Sequence, residues 1–111
     1  MNAPGSTVAT RSAPAQQSPR PREIPRYHVI LHDDDDHTYE YVIDMLEQLF
    51  AYDLSQSFLM AEEVDHTGRV IVETTTFERA EFKRDQIHAF GPDPRIDRCS
   101  GSMSASIEPA E

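Results

Sequence analysis

The sequence predicts an α+β domain with the element order β-α-α-β-α-β. Three observations carry this. Residues 27–32 alternate as a strand, apolar residues at Val42, Met45, Leu46, Leu49 and Phe50 recur with helical period, and Val70-Ile71-Val72 is β-branched throughout. At 111 residues, with 38% hydrophobic residues and no Trp, the chain has room for one modest core.

Tyr27, Val29 and Leu31 alternate with His28, Ile30 and His32, which predicts a first strand with one firmly apolar face. The aspartate run Asp33–Asp36 follows. The stripe from Val42 to Phe50 then predicts an amphipathic helix over Thr38–Ala51, capped by Asp36 or Thr38. A second helix is expected after Asp53 or Ser55, with Phe58, Leu59 and Val64 turned inward. His66-Thr67-Gly68 reads as a turn into the second strand. Thr75 followed by Glu78 has capping-box spacing for a third helix over 76–90, with Phe77, Ala80, Ile87 and Phe90 inward and Lys83 on its solvated face. Gly91-Pro92 stops that helix. Residues 91–101 read as a loop, and Met103, Ala105 and Ile107 alternate as a last strand before Pro109.

Charge is distributed unevenly. Residues 1–26 hold five of the eight prolines and carry +3, leaving −13 on residues 27–111. The first segment is too polar and proline-rich to offset the entropy of ordering, so it is expected to be a disordered arm (1–26) ahead of a folded core (27–111). So acidic a core disfavours nucleic acid as a partner and suits a cationic one. Cys99 is the only cysteine, which excludes an intrachain disulfide. No apolar run approaches a membrane span and no secretory signal is legible, so a cytoplasmic protein is the simplest expectation.

Asp33–Asp36, flanked by His32 and His37, is the densest charge in the chain. Taken alone, such a run is a solvated turn with a cap, or a site for something positive. A divalent cation on His32, the aspartates and His37 is a further alternative, although neighbours on a strand point to opposite faces and the spacing matches no calcium loop.

Several segments in common register resemble the ClpS family of Clp protease adaptors. They are Val29-Ile30-Leu31-His32-Asp33-Asp34-Asp35 followed by Glu40-Tyr41-Val42, then Phe50-Ala51-Tyr52-Asp53, then Val64 with Gly68. Ala80-Glu81 with Lys83 and Ile107-Glu108-Pro109-Ala110 complete the set. The resemblance implies a three-stranded antiparallel sheet with helices packed on one side. It also implies an adaptor without enzymatic activity or cofactor that grips the free α-amino group and hydrophobic first side chain of an N-degron. Its partners would be such peptides and a Clp AAA+ unfoldase of the ClpA or ClpC kind, and the adaptor itself would be a monomer.

Carried over position by position, the resemblance implies an amine site at Asp33, Asp34, Asp35 and Asp65. The side-chain pocket would be His37, Tyr39, Val42, Ala61, Val64 and Met103, and Glu78 and Lys83 would touch the unfoldase. Three departures stand out. Asp33 replaces the family's usual Asn and Asp65 its usual His, so two groups that can donate become pure acceptors. Ala61 replaces a pocket-gating Met, which leaves more room, while Tyr39 replaces another Met-like wall. Carboxylates so crowded repel one another, and at least one is expected to hold its proton more tightly than usual. A protein of the same fold that acts on the unfoldase without binding degrons is the alternative reading.

Overall fold

Strand β1 (Tyr27–His32) is the middle strand of a three-stranded sheet, and its composition follows from that position. The computed structural model describes residues 24–111, so nearly all of the arm expected at 1–26 lies outside the described residues. β1 pairs antiparallel with β2 (Arg69–Thr75) on one side and with β3 (Ala105–Pro109) on the other. Val29, Ile30 and Leu31 are all fully buried. The expectation of one apolar face was therefore too narrow. Val29 and Leu31 join the main core, whereas Ile30 is flanked in register by Ile71 and Ser106.

The β1–β2 register breaks once. Val29 faces Glu73 and Ile30 faces Ile71, leaving Val72 as the extra residue of a bulge. Val70 and Val72 both remain buried in the core, and Ile71 is left partly exposed on the other face.

Helix α1 (Tyr39–Phe50) starts at Thr38, whose extended backbone and hydroxyl, accepting from the Tyr41 N–H, cap it. Asp36 does not share this role. The helix buries Tyr41, Val42, Met45 and Leu46, each contributing roughly 2 kcal/mol of apolar burial. It ends at Ala51, which adopts a left-handed conformation (φ 59°).

Helix α2 (Leu54–Thr67) is capped by the Asp53 carboxylate, which accepts from the Gln56 N–H at 2.8 Å. Its buried face is Ser57, Ala61 and Val64, while Phe58 and Leu59, expected inward, are 42% and 62% exposed. Small side chains on the contact row let α2 approach α1 and β2 closely, and the larger ones occupy neighbouring rows. Gly68 (φ 92°) closes the helix where a Cβ would be strained.

Helix α3 (Phe77–His88) begins one residue later than its capping box predicts. Thr75 is held as the last residue of β2, paired with Tyr27, so Thr76 becomes the cap and Arg79 rather than Glu78 occupies the third position. Its buried residues are Ala80, Lys83 and Ile87. Phe77, expected inward, is 44% exposed and packs edge-on against Tyr27, with ring centroids 5.0 Å apart. Residues of all three helices and all three strands meet in one apolar core. Among the described residues, no helix is long and apolar enough to cross a membrane.

Candidate functional site

The aspartate run is pinned at its start by two backbone hydrogen bonds. The His32 N–H donates to the Ser104 carbonyl and the Asp33 N–H to the Gly68 carbonyl, each at 3.0 Å. The turn after β1 is thus fastened both to the end of α2 and to the segment entering β3.

Within the turn the four carboxylates have separate surroundings. Asp34 Oδ1 accepts from the Asp36 N–H at 2.8 Å, closing a local turn, and lies 2.7 Å from His37 Nδ1. Asp36 pairs with Arg98 at 2.9 Å, and the same guanidinium donates to the Asp35 carbonyl at 2.7 Å. Asp33 and Asp35 remain exposed.

Asp65 reaches this turn from the last turn of α2. The Tyr39 hydroxyl donates to its carboxylate at 3.0 Å, and the Tyr39 ring tilts against Phe58 with centroids 5.9 Å apart. Desolvation raises the Asp33 carboxyl above its ordinary value. The Asp34 backbone N–H opposes this, and the charges of Asp65, Asp34 and Asp35 reinforce it. Desolvation, the bond to Asp65 and nearby Asp65, Glu62 and Asp33 charges likewise push the Tyr39 hydroxyl up. The Asp65 charge, 32 residues away in sequence, is thus felt at Asp33.

The expected pocket residues divide into two groups. Val42, Ala61, Val64 and Met103 lie together in the core, none more than 4% exposed. Tyr39 is half-buried at the edge of that group. His37, expected as a pocket wall, is instead a buried clamp. Only 4% of its side chain is exposed; Nδ1 meets Asp34, Nε2 lies 2.8 Å from the Gly101 carbonyl, and the ring packs 4.4 Å from that of Tyr41.

Glu78 and Lys83 stand apart from the aspartate turn, on α3. Glu78 is exposed and, with Ile24, Pro25, Tyr27, Thr76 and Phe77, lines a groove of about 550 Å³ that includes none of the clustered carboxylates. Lys83 is not on a solvated face. It is 8% exposed, its ammonium donates to the Leu49 carbonyl at the end of α1, and it lies 5.1 Å from the centre of the Phe50 ring. Burial, with Arg79 nearby, lowers its pKa, against an opposing contribution from Glu73.

Sequence reading missed Asp93. Its carboxylate is buried and accepts from the N–H and hydroxyl of Thr38, both at 2.8 Å, and from the N–H and guanidinium of Arg95 at 3.0 and 3.1 Å. Burial alone would raise this carboxyl; the four donors outweigh it and hold the pKa at about 2. The available signal was an acid between two prolines, a pattern that does not name its distant partner Thr38. His32 and His37 do not share a ligand: His32 Nε2 meets the Ser106 hydroxyl at 2.7 Å. Among the described residues, no three His, Cys, Asp or Glu side chains converge as a metal site requires.

Residues 22–93, well over half of the chain, match the family model described as "ATP-dependent Clp protease adaptor protein ClpS". An ATP-dependent Clp protease adapter protein ClpS from Vibrio cholerae serotype O1 is 36% identical over 61 residues, which is 55% of this chain and 58% of that protein. Its counterpart in Erwinia tasmaniensis is 34% identical over 67 residues, 60% of this chain and 63% of that one. The chain thus matches less than two thirds of the length of these relatives. Agrobacterium tumefaciens ClpS2, in a structure bound to L-phenylalaninamide, superposes with a TM-score of 0.69 at 19% identity, covering 79% of this chain and all of that one. The shared fold and the family match together place the chain in the ClpS family.

Proposed function

We propose that this protein is a non-catalytic adaptor that holds substrates by a free N-terminal residue and delivers them to a Clp AAA+ unfoldase of the ClpA or ClpC kind. The observation that carries this reading is Tyr39, which packs beside the buried group Val42, Ala61, Val64 and Met103. Its hydroxyl holds the Asp65 carboxylate of α2, whose charge is felt at Asp33 in the turn after β1. A terminal ammonium brings three N–H donors and one charge; acceptors arriving from two directions, at least one ionised, match it. Asp33, Asp35 and Asp65 would accept directly, with Asp34 held in place by His37 as a further acceptor. The apolar group would receive the first side chain, with Tyr39 as its outer wall and His37 behind it. ClpS2 from Agrobacterium holds L-phenylalaninamide, a free amine with an aromatic side chain, and the common fold supports the same ligand chemistry here. The exposed Glu78 beside its groove is the proposed unfoldase contact; Lys83 would act there from within, by holding the end of α1. Residues 1–26 are proposed as a tether to the unfoldase and 27–111 as the binding core of a monomer.

Isothermal titration with peptides beginning in Phe, Leu, Tyr, Trp, Ile or Val tests the reading. Binding of at least one, and its loss on N-acetylation, is the expected result; binding of none, or indifference to acetylation, refutes it. A second reading is a ClpS-fold protein that acts on the unfoldase without gripping degrons. It is favoured by the burial of Val42, Ala61, Val64 and Met103, which leaves little of the proposed wall open. Unfoldase binding without peptide binding would identify it.

A further inference from the structure

Cys99 is half-buried in the loop between α3 and β3, and independent groups converge on its sulfur. The Asp93 backbone N–H donates to Sγ at 3.2 Å, and His37 Nε2 lies 3.3 Å away. Across the ring, Nδ1 is 2.7 and 2.9 Å from the two oxygens of Asp34. Because only 4% of the His37 side chain is exposed, water competes little for either nitrogen. A thiol in reach of a ring nitrogen, with the ring oriented from behind by a carboxylate, is the arrangement that activates a cysteine nucleophile.

Acceptors stand ready on both sides of the ring for a proton given up by the thiol. Nδ1 faces a carboxylate and Nε2 faces the Gly101 carbonyl at 2.8 Å, and both of these groups only accept. With the proton on the ring, both nitrogens donate and the sulfur keeps the Asp93 N–H. In the neutral arrangement the thiol donates to the same Gly101 carbonyl at 3.3 Å. The remaining titratable groups nearby are engaged elsewhere. The Tyr41 hydroxyl donates to the Gly91 carbonyl, Asp93 is held by Thr38 and Arg95, and Arg98 is paired with Asp36.

We propose that Cys99 is a nucleophilic thiol activated by His37 and Asp34, and that hydroperoxides oxidise it reversibly to a sulfenic acid. The thiol proton passes to Nε2 and the sulfur attacks one peroxide oxygen. An S–O bond forms and the O–O bond breaks, so sulfur loses two electrons and the peroxide gains them. The departing alkoxide of an organic hydroperoxide, or the hydroxide of hydrogen peroxide, takes the proton back from Nε2 and leaves as an alcohol or as water. Attack by a small thiol on the sulfenic sulfur begins the return. The added oxygen competes for the 3.3 Å gap to Nε2, which loosens the clamp between His37 and Asp34. That last consequence rests on the proposed role of Asp34 in amine binding; the thiol chemistry does not.

The test uses the full chain and no peptide. Its rate of alkylation by iodoacetamide at pH 6.5 is measured folded and in urea. The folded chain is expected to react at least about tenfold faster than the unfolded one, with His37→Gln bringing the rate down to the unfolded value or below. A thiol that merely packs reacts more slowly when folded, and that result overturns the proposal whether or not the variant folds. Hydrogen peroxide followed by dimedone is expected to label Cys99 in the folded chain; the absence of label overturns the oxidation step. A chain that passes both readouts but binds no peptide refutes the adaptor reading alone.

Discussion

The Tyr39 hydroxyl donates to the Asp65 carboxylate at 3.0 Å and so joins the first turn of α1 to the last turn of α2. The bond fixes where one carboxylate points without neutralising it. Tyr39→Phe removes the donor and keeps the ring against Phe58. Affinity for a peptide with a free N-terminal Phe is expected to fall by about 1 kcal/mol, the usual net value of such a bond. Because Asp65 is exposed, the urea midpoint of the free protein should barely move. Calorimetry and urea titration check the two halves separately; an unchanged affinity would remove Tyr39 from the site.

Asp33 gives the site a pH dependence whose sign is fixed. Its carboxyl is raised, chiefly by desolvation, so it takes up a proton at a higher pH than an ordinary carboxylate. An ammonium binds the ionised form, so affinity should fall steadily as pH drops from 7 to about 4.5. The same shift acts on folding with the opposite sign. The native state holds this proton more tightly than the unfolded chain does, so the ionised group costs stability at neutral pH and less once protonated. Asp33→Asn is therefore expected to raise the urea midpoint at pH 7 and to flatten the binding profile. Affinity that does not change with pH would count against Asp33 as an acceptor.

Much of this arrangement was legible in sequence because it rests on local periodicity. The helical stripe from Val42 to Leu46 and the apolar run around Val29 each mark an element that formed where expected, whereas α3, expected to run up to Gly91, ends at His88 with Ala89 as its cap. The errors arise where packing overrides pattern. Phe58 and Leu59 stay outside because Ser57, Ala61 and Val64 let α2 come close, a choice hydrophobicity alone cannot express. Thr75 lost its capping role to Thr76 because strand pairing with Tyr27 held it. Lys83 and His37 read as surface or wall residues, yet their buried polar atoms found carbonyls on other segments, at Leu49 and Gly101. Contacts at such sequence separation leave no local signature.

Asp93 is expected to be the main acid-sensitive tie in the fold. It anchors Thr38, the cap of α1, to the loop after α3. Its pKa of about 2 against an ordinary 3.8 corresponds to about 2 kcal/mol of stability. That contribution is complete above the unfolded value and is lost as pH falls from about 4 towards 2. Asp93→Ala should cost about 2–4 kcal/mol at pH 7, because it leaves buried donors unpaired. Urea titrations of both proteins at pH 7 and pH 3 test this; the difference between them should shrink at the lower pH.

Glu78 and Lys83 should separate cleanly when mutated, because one is exposed and the other buried. Glu78→Gln removes a charge at the rim of the groove and touches no core residue, so unfoldase binding should weaken. Stability in urea should fall by no more than about 0.5 kcal/mol, the share the carboxylate contributes at the first turn of α3. Lys83→Ala deprives the Leu49 carbonyl of its donor and empties the space beside Phe50, at an expected cost of about 1–3 kcal/mol. Any loss of unfoldase binding in that variant should track the loss of folded protein. Burial lowers the Lys83 pKa, so the native state gives up this proton before the unfolded chain does. The penalty for the buried charge is thus relieved as pH rises through the lowered value towards 10.5, and Lys83→Met should abolish that rise in stability. Weaker unfoldase binding by Lys83→Ala at an unchanged urea midpoint would instead give Lys83 a direct contact.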